Sequence, residues 1–199
     1  YINENDIPLT DITVGVIDSG VDYNHEFLQD RIVRSYFNSS TDGTENDEYD
    51  VIDGHGTAVS SVIVDNTPES VSVSVYRVLN DYTGNSMLAI QLGMIAAVDD
   101  DVDIISVSLG SVDSDKLTEI AVDYAEENGI IVVCAAGNDA DDVVESSVAP
   151  AEYEETVKVT ASSKDSRNCG WSNYGLYIDV SAPGEDVNVA IPNNQYIVW

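Results

Sequence analysis

Short apolar runs alternating with helix-like stretches predict an α/β fold of three layers, a mainly parallel central sheet covered by helices on both faces. Two segments carry this reading. Ile130 to Ala136 is a continuous apolar run, and Lys116 to Asn128 sets Leu117, Ile120, Ala121 and Tyr124 on one helical stripe, with Gly129 as its stop. No internal repeat or low-complexity linker interrupts the pattern, so residues 1–199 read as one domain.

Taken in order, Ile12 to Ile17 is the first predicted strand, bounded by Asp18-Ser19-Gly20. Tyr36 to Gly54 is rich in Asp, Asn, Ser and Thr and reads as loop. Small and β-branched residues from Thr57 to about Asp65 predict a short buried helix. Val71 to Leu79 alternates Val with Ser and reads as a strand, and Ser86 to Val98 carries apolar residues mostly at helical spacing. Asp103 to Leu109, Thr156 to Ala161 and Tyr177 to Val180 are further strand candidates, and Asp186 to Trp199 reads as extended.

Composition excludes several classes. Hydrophobic residues make up 43% and charged residues 22%, as in soluble globular proteins. No apolar run approaches the eighteen residues of a membrane span, so no membrane insertion is expected. No signal peptide is visible, and a start without Met reads as a processed or excised piece. Thirty-seven acids against seven bases give a net charge of −30, which repels phosphate backbones and disfavours nucleic-acid partners. The acids are scattered rather than set at ligand spacing, so they read as a solvated acidic surface. The run Asp42 to Asp50 is open to weak calcium binding, but no metal or cofactor is assigned. Cys134 and Cys169 show no zinc spacing; Cys134 reads as a buried thiol, and a disulfide stays open.

Three places combine a reactive residue with small neighbours. Asp18 follows the first strand directly, before the turn-permitting Gly20. His55 stands between Gly54 and Gly56, which allow close approach of backbone and substrate, at the mouth of a helix; the chain has only two histidines. Ala135-Ala136-Gly137-Asn138 ends a buried strand in an amide, which can donate to a developing oxyanion, a role worth ~3 kcal/mol. Alone, each is an ordinary turn. No GxGxxG or GxxxxGKS is present, which argues against a nucleotide-binding α/β protein.

In this order, together with Ile105-Ser106-Val107-Ser108-Leu109-Gly110 and Ser181-Ala182-Pro183-Gly184, the motifs resemble the subtilisin-like serine proteases (subtilases, peptidase S8) from about Thr13 to Trp199. The resemblance implies a serine endopeptidase acting on polypeptides, with a secreted or cell-surface address. Asp18 would orient the imidazole, His55 would be the general base, and Asn138 the oxyanion donor. Ser108, Leu109 and Gly110 would present one wall to an extended substrate, and Thr83, Gly84 and Asn85 the opposite edge. Ala135, Ala136 and Gly137 would line the pocket, with Val148 near its floor and Asp139 near its rim. His25 is read as structural, as are Ser60 and Ser61.

The departures from the family pattern have consequences. The family's nucleophile lies in Gly-Thr-Ser-Met-Ala, and no serine of this chain has that context. The nucleophile is expected a handful of residues beyond Trp199, in a C-terminal remainder of the domain that would complete the fold, and the 199 residues alone are expected to be inactive. The strong calcium site of many secreted relatives is expected to be absent, because Phe27 replaces an aspartate and Asp65-Asn66-Thr67-Pro68 is too short for its loop. The alternative function is a catalytically dead, peptide-binding relative.

Overall fold

The computed structural model describes residues 10–33, 54–80, 84–85, 87–110, 115–143 and 148–199. Apart from Gly54, the segment read as loop lies outside them, as does the acidic run Asp42 to Asp50.

Among the described residues the central sheet has seven strands, all paired in parallel, in the order β2-β3-β1-β6-β7-β8-β9. These are β1 (Ile12–Asp18), β2 (Ile32–Val33), β3 (Val71–Arg77), β6 (Ile104–Val107), β7 (Ile131–Ala135), β8 (Thr156–Ser162) and β9 (Val180–Pro183). Two short antiparallel pairs lie outside it: β4 (Leu79–Asn80) with β5 (Gly84–Asn85), and β10 (Asn188–Ile191) with β11 (Gln195–Val198). The helices are α1 (His55–Asn66), α2 (Met87–Asp99) and α3 (Lys116–Glu127).

Alternation along the strands decides which helix covers which face. Ile17, Tyr76, Ile105, Val107 and Val132 point to one side and pack with Ile90, Met94 and Ala97 of α2 and Ala121, Val122 and Ala125 of α3. Val14, Val16, Val73 and Val75 point to the other and pack with Val64 of α1, Val21 and Leu28. The stripe foreseen on α3 starts at Asp115, whose carboxylate accepts from the amides of Leu117 (3.0 Å) and Thr118 (2.9 Å) as an N-cap. Those bonds hold the Asp115 carboxyl below its usual range, the Thr118 amide most of all.

Three expected elements differ. The strand expected over Val71 to Leu79 stops at Arg77, because its neighbour β1 ends opposite at Asp18 and Val78 donates its amide to the Asp18 carbonyl. The strand expected at Tyr177 to Val180 begins only at Val180. Asp179 is the first residue to meet β8, through Lys158, so the β-favouring Tyr177 has no ladder and lies exposed. The extended tail is a hairpin, turning through Asn193 (φ 69) and Asn194 (φ 53), the paired positive φ of a tight hairpin turn that asparagine tolerates.

Candidate active site

In an open parallel sheet, ligands bind beyond the carboxyl ends of the strands where the strand order reverses. Here it reverses between β1 and β6, whose last paired residues are Ile17 and Val107. Asp18 closes β1, Ser108 follows β6, and Ala136 to Asn138 follow β7, so three separate sequence motifs reach one edge.

Asp18 is fully buried, and one carboxylate oxygen does double duty. Oδ1 accepts from the Ser19 amide (2.7 Å) and meets His55 Nδ1 (2.7 Å). The His55 side chain is 30% exposed, so the imidazole spans from a buried carboxylate to open space. Two further bonds tie the turn after β1 to the start of α1: Gly56 N donates to Ser19 Oγ (2.9 Å), and Asp22 N donates to Thr57 Oγ1 (3.0 Å). The glycines beside His55 serve this packing of protein on protein. A Cβ on Gly56 would lie 2.1 Å from the Gly20 carbonyl oxygen, and one on Gly54 2.7 Å from Pro192 Cδ.

His55 opens on a groove of about 990 Å³ between α1, the β10–β11 hairpin and the strands from β6 to β9. Of the residues singled out from sequence, the groove brings together His55, Ser108, Ala135, Ala136, Gly137 and Asn138. Asp18 stands behind His55. Gly110 packs against Val148, where an added Cβ would lie 2.5 Å from Cγ1, and Val148 also flanks Gly137. Leu109 packs against the apolar cluster under α2 and α3. Gly84 and Asn85 form β5; Thr83 lies outside the described residues.

From sequence, Trp199 has no role, and Ser61 and His25 only a structural one. Trp199 sets its ring edge-on to His55, with centroids 5.6 Å apart. Ser61 does more than pack its helix, since its hydroxyl donates to Ala58 O and accepts from Ala190 N, pinning β10 to α1. His25 is fully buried; Nδ1 accepts from Phe27 N (3.2 Å), which leaves Nε2 to donate to Gln195 O (3.3 Å). Phe27 and His25 both meet the Tyr196 ring edge-on. Cys134 and Cys169 are both free and buried, and burial pushes the Cys134 thiol up to about 12. Among the described residues, no group of three or more His, Cys, Asp or Glu side chains is placed to hold a metal ion.

A parallel α/β sheet with a buried carboxylate-histidine pair at its switch point defines a class of protein with a polar site at the carboxyl edge. The particular family follows from comparison: a model of the subtilase family, peptidase S8, matches residues 10–198, and the chain belongs to that family. The major intracellular serine protease of Bacillus subtilis is 35% identical over 197 residues, covering 93% of this chain and 61% of the relative. The thermophilic serine proteinase of Bacillus sp. strain AK1 is 32% identical, with 92% and 46% covered. A crystal structure of a lanthipeptide protease superposes with a TM-score of 0.83 at 26% identity, over 93% of this chain and 62% of that one. A cold-adapted subtilisin-like serine proteinase superposes at 0.81 and 26%, over 98% and 71%. The chain thus spans about three fifths of the first relative's length and under half of the second's.

Proposed function

We propose that the parent protein is a serine endopeptidase that hydrolyses peptide bonds through an acyl-enzyme, with Asp18 and His55 as two members of its triad and Asn138 as an oxyanion donor. The observation that carries this is the 2.7 Å contact between the buried Asp18 and a His55 open to the groove that Asn138 lines. An ionised carboxylate only accepts, so the shared proton sits on His55 Nδ1 and Nε2 keeps its lone pair. That tautomer takes a hydroxyl proton as general base and returns it to the leaving amine; Asp18 stabilises the imidazolium formed in between. The Asn138 amide then donates to the oxygen of the tetrahedral intermediate.

The nucleophile in this reading belongs to a Gly-Thr-Ser segment of the parent protein, and the 199-residue stretch by itself has no triad-dependent turnover. A C-terminal remainder of the domain would fill the apolar groove. The substrate lies extended along Ser108-Leu109-Gly110, with Thr83-Gly84-Asn85 opposite and one side chain between Gly110, Gly137 and Val148. The net charge of −30, with Glu185 and Asp186 on the groove, favours neutral or basic peptides. No cofactor takes part.

The test is fluorophosphonate labelling and casein hydrolysis by the parent protein, beside the 199-residue chain. The parent should label and turn over, the chain should do neither, and His55→Ala in the parent should cost on the order of a millionfold in kcat, the magnitude known for a subtilisin triad. A parent that binds peptides without labelling would be the dead, peptide-binding relative instead.

A further inference from the structure

Asn138 is exposed, and no hydrogen bond among the described residues engages its side chain. Its direction is therefore set by the backbone on either side, and one buried residue holds that backbone. Asn173, fully buried, accepts at Oδ1 from the amides of Asp139 (2.9 Å) and Asp141 (3.1 Å). Its Nδ2 donates to the Ala136 carbonyl (2.9 Å), and its main-chain amide donates to the Gly137 carbonyl (2.9 Å). Two contacts precede Asn138 and two follow it.

The grip depends on residue type on both sides. Gly137 sits at φ 104, and a Cβ there would lie 2.4 Å from Asn173 Nδ2, so only glycine lets the amide reach across. Asn173 accepts two amides at Oδ1 and donates to a carbonyl from Nδ2, two atoms facing opposite ways; an ionised carboxylate has no donor, and a hydroxyl would have to make all three contacts from a single atom. Asn173 is itself anchored, since Thr160 Oγ1 donates to its carbonyl (2.6 Å) and the next residue, Tyr174, donates its amide to Asp141 O (3.0 Å).

We infer that Asn173 is a positioning residue for the oxyanion site, fixing the 136–141 backbone so that the Asn138 amide is aimed before substrate arrives. This rests on the reading of Asn138 as oxyanion donor. It predicts a defect in transition-state stabilisation, because a donor displaced by about an ångström loses on the order of 10²-fold in rate.

The experiment is a cycle of Asn138→Ala, Asn173→Ala and the double variant in the parent enzyme, normalised by active-site titration. Hydrogen exchange on the 199-residue chain is measured alongside. Asn173→Ala should lower kcat about 10²-fold with KM within about twofold of the parent enzyme, and should cost nothing further once Asn138 is already alanine. Exchange should accelerate at the Asp139 and Asp141 amides while β7 stays protected. Asn173→Asp keeps both acceptor contacts but turns an acceptor oxygen toward the Ala136 carbonyl in place of the donor, so it should retain protection at the Asp139 and Asp141 amides better than alanine does and recover part of kcat; it also serves if the alanine variant does not fold. Equal costs of Asn173→Ala with and without Asn138, or unchanged exchange at Asp139 and Asp141, would overturn the positioning role alone. An unaltered kcat in Asn138→Ala would remove the oxyanion reading, and the positioning role with it.

Discussion

The two faces of the central sheet are treated differently, although the same strands build both. Over the face of Ile17, Ile105 and Val132, α2 and α3 leave the apolar side chains almost without exposure. On the opposite face, α1 covers β1 and β3, while the half formed by β6 to β9 stays open as the groove that holds His55 and Asn138. A parallel sheet is stable when both faces are covered, so the first face carries the fold. The open half is the apolar surface that the proposed remainder of the domain would cover, and the candidate polar groups stand at its strand ends.

If that division is right, substitutions should separate into losses of activity and losses of stability. After the loss expected for His55→Ala, the next largest effect is also on the groove side: Asn138→Ala in the parent enzyme should lower kcat about 10²–10³-fold with its melting temperature unchanged, by steady-state kinetics and calorimetry. Adjacent valines give the most direct stability comparison. Val132 is 2% exposed under the helices, and Val133 faces the groove half-buried. In the 199-residue chain, Val132→Ala should cost about 2–3 kcal/mol in urea unfolding and Val133→Ala about 1 kcal/mol. Equal costs would mean the groove face is as fully packed as the other.

The smallest effect is a pH dependence from Cys134, packed in the covered cluster. Its folded pKa is raised to about 12, so the folded state keeps the proton while the unfolded thiol releases it near its ordinary value of about 8.5. That contribution is fully present below the unfolded value and declines as pH rises from there toward 12. Cys134→Ser should flatten this decline in alkaline unfolding titrations. Thiol-reagent labelling of Cys134 at neutral pH should follow unfolding rather than groove access; rapid labelling of the folded chain would place the thiol on the open side.

Much of the fold was legible because the strands are short, apolar and separated by helices with clear stripes, as at Lys116–Glu127. The misreadings arose where pairing partners decide: Val71–Arg77 ends where β1 ends, and Val180–Pro183 begins where β8 offers a ladder, neither of which local propensity records. In the site, Asp18, His55 and Asn138 could be singled out as candidates because a reactive type stood among small residues at a strand or helix end. Asn173 and Ser19 could not, because a buried amide or hydroxyl that grips a distant backbone looks in sequence like any turn residue.

The sequence by itself determined the family, the parallel α/β architecture and the candidate carboxylate, base and oxyanion donor, because these depend on residue type and local spacing. Tertiary structure alone decided which atoms join Asp18 to His55 across thirty-seven positions, that Asn173 holds the backbone on both sides of Asn138, and that Trp199 lies edge-on to the imidazole. Hydrogen bonds and ring contacts of that kind are fixed by the register of strands and the docking of a hairpin, and a linear chain carries no local mark of either.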